Sequence, residues 1–347
     1  MKDANSVAIH NGTFLGLDHS PGEAEALIIP VPWDVTTSYR AGTVHGPESV
    51  IEASYQLDLY SPYLKRLWER KIATLPLPLE WKNRSQSLRK LSAKYIEFLE
   101  QGGSVEESRE MIRILDEVNS ACRELSGGVH ARVSESLERD QHPLLLGGDH
   151  SVSLGSIRAC AEKFNGLSIF HVDAHADLRE AYEGFEESHA SIMFNAMASD
   201  KIAKLVQVGL RDVCQEEVNF IQGDSRIESF FDWDLQARLH SGETWRETCQ
   251  EIVRELGRWV YVSFDIDGLD PKLCPHTGTP VPGGLEFAQA VSLLQEVVRS
   301  GRVIVGADLV EVAPSATTTN DWDGNVGARV LMQLLIAILQ TNERMGE

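Results

Sequence analysis

The segment 173–177 places three side chains with the chemistry of metal ligands at alternate positions, namely Asp173, His175 and Asp177. Alternate side chains on an extended backbone point to the same side, so the three would face one region. The apolar residues 167–172 immediately before them are typical of a short buried strand. The pattern therefore predicts a strand whose carboxyl end presents two carboxylates and one imidazole.

Three other apolar stretches, at 144–146, 259–264 and 303–309, are also followed by polar side chains: His150, then Asp265 and Asp267, then Glu311. Carboxylates gathered at one place repel each other, and bound cations offset that repulsion. Two imidazoles and four carboxylates suit a pair of divalent ions. Because no thiolate joins them, Mn²⁺ is the first choice, while Fe, Co, Ni and Zn stay open. Two ions together lower the pKa of water, so this chemistry would be hydrolysis at an electron-poor carbon or phosphorus.

The elements that must position these residues alternate between apolar stretches and helical patterns along the chain. This alternation predicts a three-layer α/β/α fold with a doubly wound, mainly parallel central sheet. Ligand sites of such sheets form at the carboxyl ends of the strands, where all the residues above would meet. We expect one domain over 1–347, with a helical insertion at about 79–110. A capping pattern at 104–107 predicts a long helix that follows it and breaks at the glycine pair 127–128.

The bulk composition limits the partners that the chain would bind. The 347 residues carry a net charge of −20, which argues against nucleic acid or an anionic membrane surface. The same charge is compatible with a small cationic substrate. The five cysteines contain no CxxC pair and are typical of free thiols in a reducing compartment. With no apolar leader at the N-terminus and no long apolar run, we expect a cytoplasmic protein.

Three stretches together resemble the signature motifs of the ureohydrolase (arginase/agmatinase) family, in the family's order and spacing. They are Gly-Gly-Asp-His-Ser at 147–151, Asp-Ala-His-Ala-Asp at 173–177 and Ser-Phe-Asp-Ile-Asp-Gly-Leu-Asp-Pro at 263–271. The resemblance extends to 32–60, 277–284 and 308–312, and leaves out roughly 61–125. It implies the arginase fold, two bound divalent ions and a homo-oligomer, either a trimer or a hexamer.

The resemblance also implies a role for each site residue. One ion would be held by His150, Asp173, Asp177 and Asp265, and the other by Asp173, His175, Asp265 and Asp267, so that Asp173 and Asp265 bridge. Asp177 would accept a hydrogen bond from the attacking hydroxide, and His189 would shuttle the proton to the leaving nitrogen. Glu311 would bind the guanidinium group of the substrate, and Thr279 would contact the substrate. Asp149 and His171 are interpreted as structural or orienting residues, and Arg179 as a solvated or salt-bridged residue.

The substrate is indicated by the loop 178–189, which is similar to that of agmatinases, and its acidic pair Glu186-Glu187 suits a cation. An agmatine-like substrate is therefore favoured. Two features depart from the agmatinase pattern: residues 192–195 are apolar or neutral where basic residues are common, and the insertion at 79–110 would cover the site mouth or a subunit contact. Free guanidine, a guanidino acid and an alkylated guanidine stay open. Hydrolysis of a formimino group and a catalytically silent partner subunit are the further hypotheses.

Overall fold

A computed structural model of the protein describes residues 7–317 and 321–343. Its centre is one sheet of eight strands, all parallel, in the order β2-β1-β3-β8-β7-β4-β5-β6. The strands are β1 (Ala26–Val31), β2 (Ile72–Thr74), β3 (His142–Gly147), β4 (Leu167–Val172), β5 (Ile202–Leu210), β6 (Ile227–Phe231), β7 (Trp259–Asp265) and β8 (Val303–Val310). The prediction of a mainly parallel α/β fold is confirmed.

Helices cover both faces of the sheet, and each face has its own apolar core. The helices α1, α7, α8, α9 and α10 contribute to one core, and α2, α3, α4 and α5 to the other. In chain order they are α1 (Gly46–Ser54), α2 (Leu79–Glu100), α3 (Arg109–Glu138), α4 (Ser153–Lys163), α5 (Ile192–Met197), α6 (Gln215–Gly223), α7 (Asp232–His240), α8 (Trp245–Arg254), α9 (Phe287–Arg299) and α10 (Trp322–Glu343).

The central strands are apolar on both faces, because helices pack against both faces of a parallel sheet. Every residue of β1, β4 and β8 is buried. The edge strands are shorter or more exposed. β2 has only three residues. The other edge strand, β6, is only partly buried and was not predicted from the sequence.

The long helix α3 corrects two sequence predictions. It begins at Arg109, capped by the Ser108 side chain, which accepts a hydrogen bond from the backbone N–H of Met111. The residues 105–107 form a separate 3₁₀ turn, so the capping pattern assigned to 104–107 was wrong. The helix also continues through Gly127 and Gly128 without a break. Gly128 lies against the ring of Trp81 on α2, and this packing outweighs the weak helix propensity of glycine.

The C-terminal helix α10 is long and apolar enough to pass a membrane-span test by length and composition. Most of it is buried inside the protein, where it packs against α1, α9 and β8. Helix α10 is therefore surrounded by other elements of the protein, as a core helix is. Helix α2 lies within the stretch 79–110, as the helical pattern predicts. That this stretch is an insertion relative to the family stays a prediction.

Candidate metal centre

The predicted metal ligands lie at the carboxyl ends of four strands that are consecutive in the sheet, β3, β8, β7 and β4. His150 follows β3, and the segment 173–177 follows β4. Asp265 ends β7, Asp267 lies in the 3₁₀ turn after it, and Glu311 follows β8. Because parallel neighbours end at the same edge, residues more than a hundred positions apart in the chain meet here.

The potential ligand atoms form two groups that share one carboxylate. His150, His171, Asp173 and Asp177 make up the first group. Asp173, His175 and Asp267 make up the second. Within each group the ligand atoms lie within 4.8 Å of one another. The shared carboxylate of Asp173 is therefore placed where a ligand that bridges two ions would be.

Asp265 lies beside both groups. Its Oδ2 is 3.5 Å from His150 Nδ1, and its Oδ1 accepts a hydrogen bond of 2.8 Å from the backbone N–H of Asp267. All six predicted ligands are thus brought together at one edge of the sheet. Their assignment to particular ions stays a prediction.

His171 belongs to the first group by distance, but its hydrogen bonds give it an orienting role. The side-chain amide of Gln207 donates to His171 Nδ1 at 2.9 Å. The ring therefore carries its proton on Nε2, which lies 2.8 Å from Asp173 Oδ2. A histidine that donates to a carboxylate fixes the direction of that carboxylate. This geometry supports the interpretation of His171 as an orienting residue.

The ring of His150 carries the clearest sign of a cation site. Ser263 donates its hydroxyl proton to Asp308 at 3.0 Å, so it accepts from His150 Nε2 at 2.9 Å. Nε2 therefore holds one ring proton, and Nδ1 is the nitrogen that can offer a lone pair to a cation. Burial disfavours the charged ring, but Asp173 and Asp177 raise the pKa of His150 well above its ordinary value, so Nδ1 of the metal-free protein holds a proton that a bound cation would replace. Nδ1 is buried and has no hydrogen-bond partner. It faces Asp177 Oδ2 at 2.9 Å and Asp173 Oδ2 at 3.1 Å. A lone pair and carboxylates that converge in a buried space fit a divalent cation between them.

Burial and mutual repulsion perturb the acidic groups strongly. Burial, followed by the charges of Asp267 and Asp173, raises the pKa of Asp265 well above its ordinary value. Burial and the charge of Asp173 raise the pKa of Asp177 to about 6. Asp173 has the opposite shift: burial opposes ionisation, but His171 and the other histidines around it hold its pKa well below the ordinary range. Without cations the site therefore resists having all its carboxylates ionised at once.

Two site residues adopt the left-handed backbone conformation that residues other than glycine rarely adopt. Asp177 has φ 55° and Glu311 has φ 60°. Such a conformation costs about 1 kcal/mol or more and persists only where surrounding contacts impose it. The carbonyl of Asp177 accepts hydrogen bonds from two backbone N–H groups of α5. Glu311 donates its N–H to Gly148 and accepts from the N–H of His150 at 2.9 Å through Oε1.

A cleft of about 150 Å³ opens above the centre. The predicted catalytic and substrate residues Asp177, His189, Thr279 and Glu311 all line it. Thr279 also donates to Asp267 Oδ2 at 3.3 Å. His189 Nδ1 is buried without a hydrogen-bond partner. Burial, together with positive charge on His175 and His150, lowers the pKa of His189 to about 3, so its ring is neutral near pH 7.

Six residues that were not predicted as site residues also line the cleft. Four of them have charged or aromatic side chains, namely Arg179, Tyr182, Asp212 and Glu217. Arg179 lies over the ring of Tyr182, 4.7 Å from its centroid, and its Nε is 3.9 Å from Glu217. Both carboxylate oxygens of Glu217 accept backbone N–H groups, from Leu178 and Cys214. Arg179 and Tyr182 belong to the loop 178–189 that indicated the substrate, whereas no local pattern marks Asp212 or Glu217, which only the fold brings to the cleft.

Arg211 holds the loop that carries Asp267 and Thr279, and sequence reasoning missed it. Its guanidinium donates to the carbonyl of Gly209 at 3.0 Å and to that of Asp267 at 2.7 Å. It also donates to the carbonyls of Leu269 and Val281. The one signal available was a lone arginine directly after the buried strand β5.

A family model described as the arginase family matches residues 24–337. The chain belongs to the arginase family. An N(1)-aminopropylagmatine ureohydrolase of Thermus thermophilus is 32% identical, over 84% of this chain and 84% of its own. An agmatinase of Bacillus subtilis is 30% identical, over 92% and 93%. A guanidinobutyrase of Pseudomonas aeruginosa is 30% identical, over 94% and 92%. The prediction of a ureohydrolase-family enzyme is confirmed.

The fold of the family is shared as well. The crystal structure of an agmatine ureohydrolase of Thermoplasma volcanium matches 97% of this chain and 97% of its own, with a TM-score of 0.72 at 24% identity. At that identity the likeness shows the fold alone. It places the eight-stranded sheet of this chain among the arginase folds.

Proposed function

We propose that this ureohydrolase cleaves a guanidinium C–N bond of an agmatine-like substrate and releases urea. The observation that carries the proposal is the pair of ligand groups that share Asp173, with Nδ1 of His150 facing three carboxylates. Two divalent ions, when bound, would lower the pKa of water and make hydroxide available near neutral pH. Mn²⁺ is the ion that we propose, with Ni²⁺ as the alternative to test.

The protein groups would hold the substrate and move its protons. Glu311 would bind the guanidinium group, because its Oε1 is fixed by the N–H of His150 and its carboxylate faces the cleft. Attack by hydroxide forms a C–O bond at the guanidinium carbon, and the bond to the substituted nitrogen then breaks. That nitrogen leaves as an amine once it gains a proton. His189 lines the cleft and is placed to relay that proton.

Two candidates compete for the identity of the substrate's tail, an amine and a carboxylate. Among the described residues that line the cleft, Asp212 and Glu217 favour a cationic tail, whereas Arg179 favours a carboxylate. Glu217 lies near Arg179 and offsets its positive charge, which leaves Asp212 as the charge that favours a cation. We therefore propose the amine-bearing tail first. A guanidino acid is the second candidate, supported by the likeness to a guanidinobutyrase. Free guanidine and alkylated guanidines also stay in the comparison.

A urea-release screen tests the substrate proposal. Purified protein is loaded with Mn²⁺ or Ni²⁺ in parallel and offered agmatine, guanidinobutyrate, guanidinopropionate, arginine, guanidine and methylated guanidines. We expect the highest kcat/KM for agmatine or an extended agmatine. A higher value for a guanidino acid would replace the first candidate with the second.

Two other hypotheses give different results. A silent partner subunit would release no urea from any of these compounds and would purify without metal. All six predicted ligands and His189 are present in this chain, which opposes that hypothesis. A formimino hydrolase would turn over a formimino compound and would tolerate the loss of Glu311. We further propose a homo-oligomer, either a trimer or a hexamer, in the cytoplasm, to be measured by light scattering and cell fractionation.

A further inference from the structure

The loop between Asp177 and α5 contains a tight turn that its own sequence does not favour. Tyr182 and Phe185 exchange two backbone hydrogen bonds, of 3.1 and 2.9 Å, so the segment 182–185 is a two-residue hairpin. The central residues have positive φ, 55° at Glu183 and 84° at Gly184, which is the pattern of a type I′ turn. Asn or Asp is preferred at the first central position, and glutamate is not. Other contacts must therefore hold this turn.

One buried side chain on α3 makes two such contacts, one within the turn and one directly after it. Asn119 is 7% exposed. Its Nδ2 donates to the carbonyl of Gly184 at 3.1 Å, and its Oδ1 accepts from the N–H of Glu186 at 3.1 Å. A single carboxamide thus satisfies a donor and an acceptor of the same loop, more than sixty residues away in the chain. The carboxamide therefore ties both the turn and the residue after it to α3.

Helix α2 closes the other side of the turn. The ring of Phe185 is fully buried and packs against the ring of Tyr95, with 5.3 Å between centroids. A Cβ at Gly184 would lie 3.0 Å from the Tyr95 hydroxyl, so α2 approaches the turn as closely as glycine permits. The helical stretch 79–110 therefore supports this turn directly, although none of its residues lines the cleft.

The position of this turn also determines where two residues of the cleft lie. Tyr182 begins the turn, and His189 follows its last residue by four positions. The rings of Tyr182 and His189 contact each other edge to face, with centroids 5.9 Å apart. Asn119 itself lies outside the described lining of the cleft. It can act on the reaction only through this loop.

We propose that Asn119 is a positioning residue, which fixes the turn 182–185 and thereby the placement of Tyr182 and His189 over the metal centre. The proposal rests on the proposed function for its kinetic consequence alone. Without the clamp, His189 would be correctly placed for a smaller fraction of the time. Proton delivery would become slower while the metal ligands keep their positions.

The test compares Asn119→Ala with Ser120→Ala, which changes an exposed neighbour on the same helix. Hydrogen exchange of the amides in 180–191 is measured first, since it needs no activity. We expect exchange about 10-fold faster in Asn119→Ala, because the opening of a local segment limits exchange. The Ser120→Ala control should match the wild type. Unchanged exchange in Asn119→Ala would overturn the proposal.

Kinetic measurements distinguish a positioning role of Asn119 from a general loss of native structure. We expect kcat for urea release to fall by about 10- to 100-fold in Asn119→Ala, since a displaced proton donor loses much of its effect. Metal content should stay at the wild-type level. Asn119→Asp leaves the acceptor in place, removes the donor to Gly184 and creates no cavity, so it should show the same defect if the alanine variant folds poorly. A loss of kcat that follows loss of metal would contradict the proposal.

A second-site substitution provides the rescue. Glu183→Asn places at the turn a residue that adopts positive φ more readily. In the Asn119→Ala background it should restore slow exchange and part of kcat. If Asn119 served only the packing of α3, a change in the turn would restore neither, and that result would refute a positioning role. A wild-type protein that releases no urea would refute the proposed function instead, while the exchange measurements would still decide the clamp.

Discussion

At the scale of single residues, the site brings together buried carboxylates whose mutual repulsion bound cations would offset. Asp173 is the extreme case, because both ligand groups use it and it is completely buried. Two neighbours fix the direction of its carboxylate. Nε2 of His171 lies 2.8 Å from Oδ2, and the backbone N–H of His175 donates to Oδ1 at 2.7 Å. No other described residue belongs to both groups.

Replacement of Asp173 therefore tests the whole centre. We expect Asp173→Ala to abolish urea release and to lower the bound metal well below two ions per chain, since both ions lose a ligand. Metal is counted by inductively coupled plasma analysis of the purified protein. Asp270→Asn is the matched control, because Asp270 lies at the same edge outside both groups. Normal turnover with normal metal content in Asp173→Ala would refute the assignment.

Replacement of Glu311 tests how the substrate is bound. Glu311→Gln keeps an acceptor for the N–H of His150 but removes the charge that faces the cleft. A hydrogen bond to a charged group is worth about 1.5–3 kcal/mol, so KM for the guanidinium substrate should rise by about 10- to 100-fold. Metal content should change little. An unchanged KM, measured by steady-state urea release, would place the guanidinium elsewhere.

At the scale of elements, most of the site side chains lie in loops beyond the strand ends, and distant side chains hold those loops. Strand β4 ends at Val172, so Asp173, His175 and Asp177 lie beyond it. His175 turns toward Asp267, while Asp177 turns toward His150. The alternation expected of an extended segment therefore does not continue to the end of the motif. The left-handed conformation of Asp177 is the local cause.

Arg211 supports the loop that carries Asp267, a member of the second ligand group. We expect Arg211→Lys to lower metal occupancy from two ions toward one, because a lysine cannot donate to four carbonyls at once and the loop with Asp267 loosens. Arg226→Lys is the matched control. Arg226 also donates to several backbone carbonyls, those of Met197, Ser199 and Ile202, but it does not belong to either ligand group or line the cleft.

The two arginine variants separate stability from metal binding. Both should lower the melting temperature by a few degrees, since each removes buried hydrogen bonds. The Arg211 variant alone should lose metal, and calorimetric titration with Mn²⁺ measures this. Equal metal content in both variants would mean that Arg211 serves the fold and not the centre.

At the scale of the whole molecule, stability and metal binding are linked through the acidic groups. In metal-free protein, burial raises the pKa of Asp177 to about 6 and the pKa values of Asp265 and Glu311 well above their ordinary range. A group whose pKa is higher in the folded state contributes stability that is complete below its unfolded pKa. That stability is lost as the pH rises through the folded value.

The metal-free protein should therefore melt at a lower temperature at about pH 8 than at about pH 5. Two groups act in the opposite direction: Asp173 does so only at pH values at and below its ordinary 3.8, and His189 does so between about 3 and its ordinary 6.5. The raised pKa values of His150 and His175 act in the predicted direction and together outweigh His189. Saturating Mn²⁺ should remove the loss at the higher pH, since bound cations neutralise the same carboxylates. Differential scanning fluorimetry of chelator-treated and Mn²⁺-loaded protein measures both. A metal-free protein that is equally stable at the two pH values would show that ionisation of these buried carboxylates does not destabilise the fold.

Much of this protein was predictable from the sequence, because the signals are local. Apolar stretches followed directly by Asp, His and Glu indicated both a parallel sheet and a metal centre at its edge. The types and spacing in 173–177 and 265–267 predicted metal ligands without any knowledge of strand order. The long helices were predicted by their apolar period, although the glycine pair in α3 gave a false break.

Only the tertiary structure decided how the centre is supported. The strand order placed β3, β8, β7 and β4 side by side, and no short-range pattern encodes that order. The proton on His150 Nε2 follows from Ser263 and Asp308, far along the chain. Arg211 and Asn119 hold their loops through backbone atoms 56 to 70 residues away. A backbone carbonyl or N–H has the same chemistry at every residue, so the sequence around it carries no mark of the side chain that will reach it.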